Sequence, residues 1–296
     1  MVLDQGLFFG ERMNAKTTRL LLIVSILAMS FACAWVVWSK FSETQPETQL
    51  LKLQDEISQD KKDKVEDVVQ IIPEAILEIN VRNKKIKSIT SQDMAVKIWE
   101  RGMRFRLKGS LCFEKDTSFR MKMNSLFGEE LDIGSNDELF WYWSRRDRDP
   151  GVYFAYYEDL TSTRLKTPFN PIFLRTSLGI LNIDTKNAQI LDKDGFLAVI
   201  RESINGMGQK VLQTIFVDEK TKLIKGFMIT DLNGQPLASC EIQKWENDLP
   251  KKILYTWHEE QKAMLIEFQS IKANESIPDS KWEMPNRNPR YNMADE

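Results

Sequence analysis

Residues 105–123 read FRLKGSLCFEKDTSFRMKM, and the alternation in this stretch is the clearest indication of a β fold. From Phe105 to Phe113 every second residue is apolar or glycine, and the residues between them are basic or small. After the polar run EKDTS the alternation resumes from Phe119 to Met123. Because successive side chains of a β-strand point to opposite faces, this period of two predicts two strands joined by a turn, with one apolar and one polar face.

The same rhythm continues along the rest of the chain. Further alternating stretches are found at 139–143, 152–157, 189–200, 210–217, 223–231, 235–245, 251–257 and 263–271. Short polar runs such as DEKTK and ENDLP separate the later stretches. About ten short strands joined by turns are typical of one antiparallel meander, whereas a parallel sheet would need strands that alternate with helices. We therefore predict a mainly β domain of the α+β class.

Two segments break the strand rhythm. Residues 65–79 carry apolar side chains at helical spacing, which predicts an amphipathic helix that Pro73 interrupts, and residues 80–85 form a polar break. Further along, Pro171 is placed to start a short helix that runs toward Gly179. This insertion is either a lid over the apolar face of the sheet or ordinary connecting structure. The lid candidates are Phe169, Phe173, Leu174, Leu178 and Ile180.

The N-terminal part holds the longest apolar run. Residues 20–38 read LLLIVSILAMSFACAWVVW and contain no charged side chain. At about 1.5 Å per residue, this run can just cross a hydrocarbon core of roughly 30 Å. Arg12, Lys16 and Arg19 precede it, so the positive-inside rule keeps the N-terminus in the cytoplasm and exports the rest. The predicted organisation is a cytoplasmic N-terminus at 1–19, a transmembrane signal anchor at 20–38, a charged linker at 39–64 and an exported β domain at 65–296.

Two other interpretations of residues 20–38 stay open. A cleaved signal peptide normally has an apolar region of roughly 7–15 residues that ends at small residues, which Ser30, Phe31 and Ala32 match poorly. A lipoprotein acylated at Cys33 would have an aliphatic residue three positions earlier, where Ser30 stands. The uncleaved anchor is preferred because the run has spanning length.

The composition limits the chemistry that this chain can perform. It has 296 residues, a formal net charge of −2, one histidine and three cysteines. Such balance argues against a protein that mainly grips nucleic acid, and so few histidines and cysteines leave little room for a metal site or a histidine-based triad. The run HEEQK that starts at His258 lacks the second histidine of a zinc-protease motif. We predict no enzymatic activity, no cofactor and no metal.

The exported part contains Cys112 and Cys240. A single pair so far apart in sequence gives no disulfide pattern, so pairing in an oxidising compartment stays open. The default expectation is that both are small buried apolar side chains.

Five stretches carry a resemblance to a known family: ILEIN at 76–80 with IKSI at 86–89, RLKG at 106–109 with FR at 119–120, DIGSNDELFWYW at 132–143, GFMITDLNG at 226–234 and KWEMP at 281–285. Together they resemble the periplasmic lipoprotein carriers of the LolA/LolB/LppX-like superfamily, in a membrane-anchored variant. The resemblance covers roughly residues 65–285. The chain departs from LolA-type carriers at Lys115 and Asp116, where those often have Arg-Pro.

The resemblance implies a fold, a place and a function. The fold is an open half-barrel, an antiparallel sheet curled around an apolar face with a helical lid. The place is the periplasmic side of a bacterial cell membrane, reached by a single-pass anchor. The function is the binding of lipid or lipoprotein acyl chains without a chemical step, in lipid or lipoprotein trafficking. The expected partners are those acyl chains and the membrane, with an envelope protein as a further candidate and no nucleic acid.

The candidate ligand-binding residues are those expected on the apolar face of the strands and under the lid. They are Phe105, Leu107, Leu111, Phe119, Met121, Met123, Trp141, Trp143, Phe154, Tyr156, Phe173 and Leu178. Ordinary core packing is the competing interpretation of each, since large apolar side chains in half-buried strands commonly fill a core. The alternative function is an envelope interaction or scaffold domain without a lipid ligand, which would use the outer surface or the loop from Arg145 to Arg148.

Overall fold

The computed structural model describes residues 50–51, 54, 72–100, 102–114, 118–159, 171–193, 195–205 and 209–295. The predicted anchor at 20–38, most of the linker, Cys33 and Phe169 lie outside the described residues. Among the residues that are described, no helix is both long enough and apolar enough to cross a bilayer. The chain divides into two units at 1–44 and 45–296, and all described residues belong to the second.

The described part of the chain forms one sheet of 14 strands. The strands are β1 Ser88–Glu100, β2 Met103–Glu114, β3 Ser118–Ser125, β4 Gly128–Ser135, β5 Leu139–Ser144, β6 Val152–Tyr156, β7 Gln189–Lys193, β8 Phe196–Ile204, β9 Lys210–Asp218, β10 Leu223–Thr230, β11 Pro236–Glu246, β12 Leu249–Trp257, β13 Lys262–Ala273 and β14 Arg290–Asn292. The helices with described bounds are α1 Glu74–Asn83 and α2 Pro171–Thr176, with short 3-10 turns at Tyr157–Asp159, Asp279–Trp282 and Met293–Asp295. Residues 50–51 and 54 are also helical, and Leu50 packs in a separate cluster with Phe216 and Met228.

The order of the strands explains how the sheet is assembled. The chain starts in the middle of the sheet with β1 and runs by hairpins to β6 near one edge. It then crosses through α2 to the other edge at β7 and returns strand by strand to β13, which pairs with β1. Every pairing is antiparallel except that of β14, which lies parallel to β6. The predicted antiparallel meander is thus confirmed as one open curled sheet with few helices.

Both helices lie on the same face of this sheet, which we call the inner face. Ile76 and Ile79 of α1, together with Phe173 and Leu174 of α2, belong to one buried apolar cluster with the inward side chains of the strands. The amide of Asn83 donates to the carbonyls of Gly179 and Leu181, at 3.2 and 2.9 Å. These contacts tie α1 to the segment that follows α2.

The two ends of the sheet differ in what covers them. The β1–β2, β3–β4, β5–β6 and β12–β13 connections lie at one end, which we call the mouth end. The end of α1 lies at the opposite end, where Arg82 Nη1 donates to the carbonyl of Lys222 in the β9–β10 turn at 3.0 Å. Arg82 also lies 3.8 Å from Asp248 in the β11–β12 turn. We call this the helix end.

The first helix and the polar break after it required a correction. The described helix starts directly after Pro73 and continues to Asn83, so the predicted break at 80–85 is wrong for its first four residues. The asparagines remain helical because their side chains bond to the neighbouring segment rather than to their own turn. Asn80 accepts from the amide of Ile183 at 2.7 Å and donates to its carbonyl at 3.0 Å.

One strand prediction also needed correction. The predicted single strand 189–200 is a hairpin of β7 and β8, which turns at Gly195 with a φ of 84°. The run DIGS, which was not among the alternating stretches, lies in β4, and its Asp132 is fully buried. Its carboxylate is bonded by Arg120 through two nitrogens, at 3.0 and 2.8 Å. This pairing with Arg120 compensates the buried charge of Asp132, so a stretch with a polar sequence can form a strand.

Candidate functional site

A pocket of about 380 Å³ opens on the inner face at the mouth end. Its volume falls in the range of roughly 300–1,000 Å³ that is usual for small-ligand sites. The floor is formed by Ile98, Phe105, Leu107, Leu131, Tyr142, Trp257, Ala263 and Met264. The rim is formed by Glu100, Glu130, Ser144, Arg146, Asp147 and Lys262. An apolar floor under a charged rim is the arrangement that suits an amphipathic ligand.

The strand register builds the floor. Ile98 of β1 lies opposite Phe105 of β2 on one side and Met264 of β13 on the other. Neighbouring strands hold their side chains at the same height, so these three apolar residues form one continuous row. Leu107 stands in the next inward row, opposite Val96. The floor therefore combines residues from strands that are far apart in sequence.

A stack of aromatic rings separates the pocket from the helices. The Trp257 ring stacks on Tyr255, with centroids 6.0 Å apart and planes at 11°. Tyr255 meets the ring of Phe173 edge-on and its hydroxyl hydrogen-bonds Ser177 at 2.8 Å. Burial raises the pKa of Tyr255 well above its ordinary value, so this hydroxyl stays protonated. The pocket thus ends where α2 begins to fill the inner face.

Three ion pairs border the charged rim. Lys262 Nζ lies 2.9 Å from Glu100 Oε1. Arg146 Nε donates to Glu130 Oε2 at 3.1 Å, and Arg145 Nη1 lies 3.7 Å from the other oxygen. The hydroxyl of Ser125 also donates to Glu130, and together with the arginines it lowers the pKa of that carboxyl. Glu130 is therefore ionised over most of the pH range and organises this side of the rim.

Arg146 also reaches over the floor. Its guanidinium lies 4.4 Å from the centre of the Phe105 ring, a distance at which the cation is attracted to the aromatic face. The same side chain therefore joins a rim carboxylate to a floor residue, and it stands between the pocket and solvent on the β5–β6 side.

Asp147 is the third acidic residue of the rim. Burial raises the pKa of its carboxyl, against hydrogen bonds from Tyr142 and Ser144 and the charge of Lys262, which lower it. Its Oδ2 is enclosed and has no hydrogen-bond partner. Tyr142 is a floor residue, so Asp147 stands directly at the junction of rim and floor.

Three large apolar side chains project into solvent beside the pocket. Leu126 and Phe127, in the β3–β4 turn, are 101% and 83% exposed, and Met103 at the start of β2 is 51% exposed. Arg145 Nη1 donates to the carbonyl of Phe127 at 2.8 Å, which attaches this turn to the rim. We call Met103, Leu126 and Phe127 the apolar tip.

The structure places the predicted ligand-binding residues in three different settings. Phe105 and Leu107 line the pocket. A second group belongs to the closed core, with at most 4% exposure: Leu111, Phe119, Met121, Met123, Phe173 and Leu178. The lid candidates Leu174 and Ile180 share that core. That any of these residues contacts a ligand stays a prediction, and only the first two stand at the pocket.

The remaining predicted residues lie elsewhere. Trp141, Trp143 and Phe154 pack with Val152 in a separate cluster on the other, outer face, and Tyr156 is 40% exposed. Residues Phe140 and Tyr142 face inward instead. All five side chains of the run LFWYW are large and apolar or aromatic. The run therefore shows no alternation that would indicate which side chains face inward.

The C-terminal segment explains why tryptophans can stand on the outer face. The guanidinium of Arg287 lies 3.8 Å from the Trp143 ring, and Arg120 lies 5.8 Å from the Trp141 ring. Arg120 Nη1 in turn donates to the carbonyls of Lys281 and Glu283. This segment covers the outer cluster and removes it from solvent.

Sequence reasoning missed most of the pocket floor. Ile98, Leu131, Tyr142, Trp257 and Met264 were not among the candidates. The alternation in 251–257 and 263–271 marked Trp257 and Met264 as inward residues, but only the sheet order places them beside Phe105.

The described residues bring no three metal-ligating side chains together. Within that part of the chain Cys112 and Cys240 are both free and buried, so they form no disulfide here. Burial raises the pKa of both thiols, which keeps them protonated. This agrees with the default expectation that they are small packed side chains.

The loop at 145–148 was the candidate for a partner contact. Arg145, Arg146 and Arg148 are all exposed, and the first two form ion pairs with Glu130, as described above. Two of the three arginines of this loop therefore form ion pairs at the rim of the pocket.

No known family's sequence profile matches this chain, and no curated protein matches it. Solved structures do resemble it. A DUF1329 family protein from Desulfovibrio piger is 12% identical, with a TM-score of 0.48 over 71% of this chain and 96% of that one. A putative outer membrane lipoprotein-sorting protein domain from Vibrio parahaemolyticus is 11% identical, with a TM-score of 0.45 over 70% and 95%. A LolA superfamily protein from Nitrosomonas europaea is 11% identical, with a TM-score of 0.45 over 73% and 99%.

These neighbours include the superfamily that the sequence resembles. A likeness this distant assigns no activity or ligand to the chain, so we base its function on its own residues.

Proposed function

We propose that this chain is a non-enzymatic, membrane-anchored envelope protein that binds an acyl chain of a lipid or lipoprotein. The observation that carries the proposal is the pocket, a space of about 380 Å³ over apolar inner-face side chains such as Ile98, Phe105 and Met264, next to a closed buried core. The predicted anchor and the exported position of the β domain complete the proposal and support a role in lipid or lipoprotein trafficking.

The energetics favour a single chain. Each buried methylene contributes about 0.8 kcal/mol, so a ten-carbon segment would supply roughly 8 kcal/mol before the costs of association. The floor offers no array of polar groups that would select one chain over another. Met264 adds an adaptable side chain, which suits tails of varied length. Affinity would thus come from the tail, and selectivity from the rim.

The apolar tip supports contact with a lipid surface at this end. The side chains of Leu126 and Phe127 are exposed to water, and their transfer into the interface of a bilayer is favourable. Since the tip is joined to the rim through Arg145, a surface that contacts the tip would lie next to the pocket. An acyl chain would then enter without crossing open water.

The alternative scaffold function has less support at the loop proposed for it. All three arginines there are exposed, but Arg145 and Arg146 are paired with Glu130, which leaves Arg148 as the exposed arginine without an ion pair among the described residues. A partner that reads the charge of this loop would have to compete with the rim.

The proposal is tested with the full chain in nanodiscs that contain a lipid with a photoreactive group on its acyl chain. Leu107→Trp fills the floor and is expected to lower the yield of lipid-crosslinked protein about tenfold, which corresponds to a loss of roughly 1.4 kcal/mol of binding free energy. Arg106→Trp is the matched control, because the neighbouring side chain on the same strand is exposed on the outer face. Equal yields from wild type, Leu107→Trp and Arg106→Trp would contradict binding in the pocket.

A further inference from the structure

We infer that the pocket selects amphiphiles whose head group is an amine over those whose head group is a carboxylate or phosphate, through Asp147 at its rim. This inference rests on the proposed function, because it names the head group of the ligand whose tail occupies the floor.

The two cations of the rim are already occupied. Lys262 is paired with Glu100 at 2.9 Å, and Arg146 is paired with Glu130 at 3.1 Å while its guanidinium covers Phe105. Glu130 is held a second time by Arg145. An anionic head group would therefore have to break an existing ion pair before it gained one of its own, and the released carboxylate would remain at the rim.

Asp147 is in the opposite situation. The described part of the chain supplies no ion pair to its carboxyl, which receives only hydrogen bonds from Tyr142 and Ser144 and the more distant charge of Lys262. One of its oxygens is enclosed without a partner. A carboxylate that has lost solvent and gained no cation is costly, and an ammonium group would offset that cost.

The positions of the ion pairs point in the same direction. The carboxylates of Glu100 and Glu130 are paired with Lys262 and with the two arginines, so among the described rim residues Asp147 is the acid without an ion pair. This carboxyl lies where the rim meets the floor at Tyr142. A ligand whose tail lies on the floor would place its first polar atoms at that junction. A positive head group there would pair with the carboxyl of Asp147.

Three competitors with the same twelve-carbon tail test the head group: dodecylamine, dodecanol and dodecanoate. Each competes with the photoreactive lipid for crosslinking to the full chain in phosphatidylcholine nanodiscs at neutral pH. We expect dodecylamine to compete about tenfold better than dodecanoate in wild type, with dodecanol between them. In Asp147→Asn the amine preference should fall to no more than about twofold. Each competitor partitions equally into the same nanodiscs for every variant, so the comparison between variants cancels partitioning.

Asp149→Asn is the control, because this exposed acid stands two residues further along the same loop. It should keep the full amine preference. The inference is overturned if wild type favours dodecanoate, if the three compete equally, or if Asp147→Asn keeps the preference. Should none of the three compete at all, the proposed acyl-chain site fails as well, so the two failures are told apart.

Discussion

The helix end and the mouth end of the inner face use the same alternating strands and reach opposite outcomes. At the helix end, Ile76, Ile79 and Phe173 press on the sheet and are at most 4% exposed. At the mouth end no described helix covers the floor, and Ile98, Phe105 and Leu107 border a cavity. The strand pattern therefore determines which side chains point inward, whereas the helices determine which of them are covered.

The two ends are also held together by different forces. The helix end is closed by buried apolar contacts and by asparagine amides bonded to backbone carbonyls. The mouth end is bordered by partly exposed ion pairs, which contribute little free energy of unfolding. We therefore expect stability to depend on the helix end and ligand binding on the mouth end.

The largest expected effect is on the helix end. Ile79→Ala should lower the free energy of unfolding by about 3 kcal/mol, because it leaves a cavity in a fully buried position. Leu107→Ala, at the half-buried floor, should lower it by about 1 kcal/mol or less. Urea titration followed by tryptophan fluorescence measures both. Equal losses would erase the distinction between the two ends.

An intermediate effect concerns the two acids of the rim, whose pKa shifts have opposite signs. The pKa of Glu130 is lowered in the folded chain, so its ionised form stabilises the fold at neutral pH, and this contribution is lost as the pH falls through the lowered value. The pKa of Asp147 is raised, so its contribution is present at low pH and lost as the pH rises through the raised value.

Glu130→Gln should therefore melt a few degrees below wild type at neutral pH, with a gap that narrows as the pH falls through the lowered pKa of Glu130. Asp147→Asn should melt level with or above wild type at neutral pH. The measurement is the melting temperature as a function of pH. A gap for Glu130→Gln that widens on acidification would contradict the assignment of this rim.

The sequence pattern predicted some strands of the sheet and missed others. The alternation in 105–123 predicted β2 and β3, because every inward residue there is apolar or glycine, whereas the open sheet was implied by the family resemblance. It missed β1, in which the register shifts between Ser91 and Met94 and the period of two is broken. It also missed β4, in which the buried Asp132 is paired with Arg120 and Lys122 of the neighbouring strand.

The pocket could not be predicted from the sequence, for a different reason. Its floor joins Ile98 and Phe105 to Met264, which become neighbours only because β13 returns to pair with β1. Whether inward side chains are covered depends on where α2 ends, and no local pattern reports that. The outer position of Trp141 was likewise hidden, since it depends on Arg120 and the C-terminal segment.

The smallest effect on stability is expected at the apolar tip. The double substitution Leu126→Ser with Phe127→Ser should change the free energy of unfolding by less than about 0.5 kcal/mol, because both side chains are already exposed. It should nevertheless slow the uptake of a fluorescent acyl lipid from vesicles severalfold. Leu232→Ser, at the exposed β10–β11 turn, is the control and should leave uptake unchanged. Uptake that is equally fast in all three proteins would remove the tip from lipid contact.

Binding of an acyl chain at the mouth end can be tested by mapping the residues that a photoreactive acyl chain labels in the full chain. The labelled residues are identified by peptide mass spectrometry. If the mouth end is the binding site, the labels will fall on Ile98, Phe105, Leu107 and Met264, and the buried residues of α1 and α2 will carry none. Labels concentrated at Ile76, Ile79 and Phe173, or scattered over the outer face, would contradict it.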